Sequence, residues 1–240
     1  MAAETDTAAP ATPDAPGAPS GGGGSAPFLD KLRHLLESRP QARSGERCEL
    51  CGLAIPDDHR HLISVESRSL LCVCRPCYLL FTNRAAAGGK YRAVPDRCRF
   101  APELTIAEEQ WDRLQIPVGI AFFFHNSSLG RTVAFYPSPA GATESLLPLD
   151  AWDEVVRANP VLLELEPDVE ALLVYKRPTG LECYLAPIDA CYELVGRIRR
   201  RWKGFHGGAE AWQEIEAFFA QLRARSTTAT VSHAGEPCPS

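Results

Sequence analysis

The chain has 240 residues, 45% hydrophobic and 23% charged, with a formal net charge of −5, an ordinary globular composition with room for one medium domain or two small ones. No apolar N-terminal h-region is present, and the longest apolar run, Ile116 to Phe124, is broken by Pro117 and Gly119, so neither a secretory signal nor a membrane span is expected. Charge is uneven, +4 over 40–100 and −7 from Ala101 onward, and the mild basic excess does not by itself argue for nucleic acid.

Residues 1–25 are Ala, Pro, Thr, Gly and acid, ending in Gly21-Gly22-Gly23-Gly24-Ser25; they cannot bury a core and are expected to form a disordered tail. Phe28, Leu29, Leu32, Leu35 and Leu36 recur at helical spacing, which predicts an amphipathic helix in 26–39, packed on the core or docking a partner. Pro40 opens a cysteine-rich module extending to residue 100. In it, His61–Glu66 and Arg68–Cys72 read as short strands, and Tyr78–Phe81 as a helical turn.

From 101 to 225 the pattern predicts an α+β domain. Ile106–Leu114 reads as a helix, with Thr105 and Glu108 as its capping box. Val118–Phe124 and Arg131–Tyr136 form one hairpin, followed by a loop over 137–141. Asp150 caps a helix that stops before Pro160. Ala171–Lys176 and Glu182–Ala186 form a second hairpin around Pro178-Thr179-Gly180. Two helices separated by Gly207-Gly208 close the domain, and 226–240 is expected to be a flexible tail. The architecture predicted is a small zinc-ribbon or rubredoxin-like module followed by a mostly antiparallel sheet with packed helices.

Five of the nine cysteines fall within thirty residues, as Cys48-Glu-Leu-Cys51-Gly52 and Cys72-Val-Cys74-Arg-Pro-Cys77. Two CxxC turns separated by 22 residues supply four sulfurs at tetrahedral reach, which suits Zn²⁺ or a rubredoxin-type iron. The symmetric ligand set is Cys48, Cys51, Cys74 and Cys77. Cys72 competes with it, as an exchangeable ligand, as a partner in a reversible disulfide, or as a spare thiol. In the reducing cytoplasm expected for this chain, clustered thiols read as metal or redox sites rather than disulfides. Buried unpaired thiols are the alternative, weakened by the density and spacing of these five. Tyr78 stands where rubredoxins usually carry a glycine after Cys-Pro-x-Cys, which favours zinc over iron.

His59 and His61 share one face of an extended segment and offer ligands for a second metal, a replacement for a cysteine, or simply two surface imidazoles. Arg197, Arg199, Arg200, Arg201 and Lys203 form a basic cluster at a helix end, read as a solvated terminus or a docking patch for an acidic partner. Cys98, Cys183, Cys191 and Cys238 are scattered, with Cys191 on an apolar helical stripe. His125 and Ser127, with Glu144 or Asp189, have the residue types of a hydrolase triad but no nucleophile elbow. No dinucleotide fingerprint or Walker loop occurs.

Asp58-His59-Arg60-His61 together with Arg68-Ser-Leu-Leu-Cys72 resembles the endonuclease VII branch of the HNH nucleases, which pairs two zinc knuckles with an Asp-His motif. Tyr78 stands where that branch has asparagine, so half of the expected catalytic-metal site is missing. From Cys48 to about Leu222 the chain resembles an uncharacterised actinobacterial family. The shared runs are Cys48-Glu-Leu-Cys-Gly, His59-Arg-His-Leu, Leu70-Leu-Cys-Val-Cys-Arg-Pro-Cys, Tyr136-Pro-Ser-Pro-Ala-Gly-Ala-Thr-Glu-Ser-Leu-Leu-Pro-Leu and Gly207-Gly-Ala-Glu-Ala-Trp. Genes of that family are typically found beside those of high-affinity nickel–iron hydrogenases. The resemblance implies a non-enzymatic accessory role with a hydrogenase subunit or maturation factor as protein partner, and it implies no catalytic residues.

Overall fold

The computed structural model describes residues 45–145, 149–204 and 207–229. The expected tail at 1–25, the helix expected in 26–39 and Cys238 lie outside the described residues.

Two CxxC turns can converge only if the chain between them doubles back, and the sequence from 60 to 73 does this. Strand β1 (Arg60–Ser64) turns at residues 65–68 into β2 (Ser69–Val73), and β3 (Tyr91–Ala93) pairs with the other edge of β1. All three strands are antiparallel, with His61 opposite Cys72 and Leu62 opposite Leu71. Strand alternation divides the side chains between two environments. Leu62 and Val73 pack with the cysteines, whereas Ile63, with Leu70 beside it, joins the core of the larger sheet.

That larger sheet has seven strands: β4 (Arg99–Phe100), β5 (Ile120–Asn126), β6 (Arg131–Ser138), β7 (Gly141–Ser145), β8 (Glu170–Arg177), β9 (Gly180–Pro187) and β10 (Thr227–Thr228). Their order is β10-β4-β9-β8-β5-β6-β7, antiparallel throughout except for the parallel β10–β4 pair. The central strands are apolar on both faces because both are covered. Phe122 and Phe124 point to one side, toward α4 (Ile188–Arg201) and α5 (Gly208–Arg225), and Phe123 points to the other. There Phe123 stacks at 4.5 Å on Trp152 of α3 (Leu149–Ala158), in a core shared with Trp111 of α2 (Glu108–Arg113).

The α+β class holds, and several elements differ from the sequence reading. The loop expected over 137–141 shrinks to a tight turn: β6 continues through Pro137 and Ser138, and β7 begins at Gly141 and pairs back on it. Pro137 is tolerated because it lies beyond the stretch of β6 that bonds to β5. Thr105 does not cap α2. Its N–H donates to Asn159 Oδ1 at 3.0 Å and its carbonyl accepts from Asn159 Nδ2 at 2.8 Å, while Gln110 Oε1 accepts the Ala107 N–H instead. Asp150 lies inside the first turn of α3.

Thr227–Thr228, placed by the sequence in a tail, pair with β4, and Ala229 is buried. A two-residue strand made of threonines carries no periodicity to find. Strand β4 belongs to the large sheet although it falls before residue 101, and Ile63, Val94 and Cys98 share a core with β5, β8 and β9. The cysteine module is therefore seated on the α+β portion. The break between α4 and α5 falls where expected. Gly207 has φ +83°, and a Cβ there would stand 3.3 Å from the Trp202 ring.

Candidate metal centre

The first knuckle is built from backbone hydrogen bonds. Cys48 N–H donates to Leu53 O and Gly52 N–H to Cys48 O, both at 2.8 Å, and Gly52 has φ +73°, a conformation glycine adopts without steric cost. The second knuckle is a helix start. Cys74 is the extended N-cap residue of α1 (Arg75–Leu80), Pro76 occupies the first turn, and Cys77 follows on the buried side.

The two turns bring Cys48, Cys51, Cys74 and Cys77 together with every sulfur within 4.8 Å of the others, and Cys51 Sγ lies 3.6 Å from Cys74 Sγ. Four sulfurs at Zn–S bond length around a tetrahedral ion stand about 3.8 Å apart. The cluster is thus at coordination spacing. Cys48, Cys74 and Cys77 are buried, and Cys51 is exposed.

The electrostatics favour a cation. Burial alone would raise the Cys48 thiol, but the N–H groups of Cys74, Cys51 and Leu50 outweigh it and hold the group down at about 6. Cys77 is pushed well up, by burial first and then by its three cysteine neighbours. Cys51 is drawn down by the Leu53 N–H, yet the thiols of Cys48 and Cys74 leave it raised overall. One thiolate thus forms readily while Cys51 and Cys77 are raised beside it, and a divalent ion at the centre would remove that penalty.

The remaining three candidates form a group of their own. His59, His61 and Cys72 place their ligand atoms within 4.8 Å of one another, with the imidazole centroids 4.8 Å apart. They do not enter the four-sulfur cluster. His61 and Cys72 are cross-strand partners and so share a face, and His59, two residues before His61, extends the same row. Sequence spacing gave the histidine pair; the union with Cys72 depends on the β1–β2 register.

Other candidates disperse. Both carboxylates of the hydrolase-triad reading are engaged by other partners: Asp189 accepts from His61 and Glu144 from Arg131. The basic cluster is largely neutralised, since Arg197 bonds Glu193, Arg201 lies 3.5 Å from Glu214 and Lys203 lies 2.7 Å from Glu210. It is mostly a seam between α4 and α5. Cys98, Cys183 and Cys191 are buried in the cores, and burial raises all three thiols.

Sequence reasoning missed a cleft of about 290 Å³ between the 65–68 turn and the large sheet, lined by Arg68, Asn126, Glu144, Asp168 and Tyr192 among others. It also missed Glu49, which bridges the knuckles. Among the described residues no helix is long and apolar enough to cross a membrane.

No curated protein and no solved structure matches this chain. A family model described as "Family of unknown function (DUF5947)" matches residues 47–226, most of the chain, and the chain belongs to that family.

Proposed function

We propose that this chain is a non-enzymatic, metal-binding accessory protein whose Cys48, Cys51, Cys74 and Cys77 hold a structural zinc ion. The observation that carries the reading is the convergence of four thiol sulfurs within 4.8 Å. Zinc has no redox chemistry, so its role would be to fix the two turns and the surface they present. A short three-stranded sheet with few apolar residues gains from such a staple. The knuckles also expose Leu53, Leu79 and Leu80, each more than half accessible, which suits contact with a protein partner. The resemblance to a family encoded beside nickel–iron hydrogenase genes makes a hydrogenase subunit or maturation factor the first partner to test, in the cytoplasm.

Iron in the same four thiolates would make the module a one-electron carrier. A nuclease role has less support: Tyr78 replaces the expected asparagine, and its hydroxyl donates to Val94 O at 3.0 Å. Elemental analysis and a visible spectrum of protein purified without chelator test the reading. One colourless zinc per chain supports it. One iron with thiolate charge-transfer bands replaces scaffold with electron transfer, and a folded protein with no metal overturns both.

A further inference from the structure

We propose that His59, His61 and Cys72 form a second metal site, distinct from the four-cysteine cluster, for a borderline first-row divalent cation such as zinc, cobalt or nickel. Two imidazoles and one thiolate are a donor set for this class of ion. Three protein ligands leave a fourth position for solvent or an incoming ligand.

The tautomers of both histidines are set by their surroundings. His59 Nδ1 lies 3.0 Å from Pro56 O and 3.1 Å from Asp57 O, with Glu46 Oε2 at 3.3 Å. All are acceptors, so Nδ1 carries the proton and Nε2 is left with a free lone pair. That Nε2 is buried with no hydrogen-bond partner, and the side chain is only 8% exposed. An orphaned buried nitrogen costs stability unless something occupies it. His61 repeats the arrangement, with Nδ1 2.9 Å from Asp189 Oδ2. The other oxygen of Asp189 accepts the Ala190 N–H at 2.7 Å, which anchors the carboxylate in the first turn of α4. A carboxylate behind a ligating imidazole fixes its orientation and strengthens it as a donor. Asp189 is thus a positioning residue, contributed by the α+β portion to a site on the cysteine module. Cys72 and His61 are partly exposed, so an ion can enter from solvent.

Titration of the full chain with Co²⁺, followed by absorption, tests this. The expected result is two equivalents: one with the intense d–d bands of four thiolates, one with the weaker pattern of a single thiolate and two imidazoles. His59→Gln and Cys72→Ser each remove the second equivalent and leave the first set of bands unchanged. Asp189→Asn weakens the second equivalent roughly tenfold or more, again without touching the first. Should Cys72→Ser fail to fold, His59→Gln carries the test alone, because the glutamine amide keeps an N–H donor for the Pro56 and Asp57 carbonyls while removing the Nε2 lone pair. A wild-type titration that stops at the four-thiolate equivalent overturns the proposal, as does a second equivalent that survives His59→Gln. Loss of the four-thiolate bands in folded Cys72→Ser would put Cys72 in the first cluster and also overturn it. Absence of the first equivalent alone would refute the four-cysteine reading and leave this one standing.

Discussion

Glu49 and Cys72 hold each other at two points: the Glu49 N–H donates to the Cys72 carbonyl at 2.9 Å, and the Cys72 N–H donates to the Glu49 carboxylate at 2.6 Å. Glu49 sits between the first two cysteines, and Cys72 lies just ahead of the second pair. This pair of hydrogen bonds therefore sets the distance between the knuckles with protein groups alone. Glu49→Ala keeps one bond and loses the charge-assisted one. Supporting bonds of this kind are worth roughly tenfold or more in metal affinity. Competition with a chromogenic chelator should show that loss, and an unchanged affinity would mean the cysteines close the site unaided.

Removal of the ion proposed for the four-cysteine site should affect the two sheets differently. The knuckle cluster has Leu62, Val73 and Ile55 as its buried apolar members beside the thiols, whereas β8 is buried on both faces. Chelation is expected to strip hydrogen-exchange protection from the amides of Leu62 and Val73 while Leu172 and Leu173 keep theirs. Protection lost equally in both, or in neither, would mean that the ion is not what holds the small sheet.

The segment joining the two sheets is fixed by Arg97. Its Nε and Nη2 donate to the two Glu170 oxygens at 2.6 Å each, and the Glu166 N–H donates to Glu170 Oε2 at 2.9 Å. Glu170 is 1% exposed, so Arg97→Met strands a buried carboxylate. The expected cost is about 3 kcal/mol, the low end for broken buried pairs because Arg97 is itself half exposed. The double variant Arg97→Met/Glu170→Met should be less destabilised than Arg97→Met alone in denaturant unfolding. A larger loss in the double variant would locate the stabilising contribution in the bond from the Glu166 N–H to the Glu170 carboxylate.

Tyr175 and Glu216 give a pH dependence at both extremes. The Tyr175 hydroxyl donates to Glu216 Oε1 at 2.7 Å, and Arg177 contacts the same carboxylate. Hydrogen bonding from Tyr175, with Arg177 assisting, holds Glu216 below its ordinary value. Its contribution is present at neutral pH and is lost as pH falls through the lowered value. Burial, and next the Glu216 bond, raise Tyr175 to about 12, so its contribution is lost as pH rises from about 10 to 12. Glu216→Gln should cost about 1 kcal/mol at pH 7. It should also lessen the acid-side decline, to which Glu154 and Glu210 contribute as well, and shrink the alkaline one, which Tyr184 shares. Parallel pH–stability curves for the two proteins would contradict this.

The four-cysteine cluster was legible because it is local. Cys48–Cys51 and Cys74–Cys77 are turns whose geometry their own spacing dictates, and β1–β2 is a hairpin with a recognisable apolar pattern. The hairpins of the large sheet were readable for the same reason, as was the helix break at Gly207. What escaped depends on long-range pairing. Asp189 reaches His61 across 128 residues, and β10 finds β4 across a similar span. Glu49 looked like any exposed acid between two cysteines, and only the fold gives its carboxylate a backbone N–H to accept from.

The parallel β10–β4 pair has a consequence for the order in which the molecule is made. Strand β4 lies between β9 and β10, both of which leave the ribosome long after it does. The small sheet, by contrast, pairs segments that emerge close together. Synthesis therefore favours a finished cysteine module waiting ahead of a nascent sheet whose edge stays open until Thr227 and Thr228 arrive. A chain stopped before those threonines would carry β4 as an unsealed border, the kind of edge that recruits neighbouring chains.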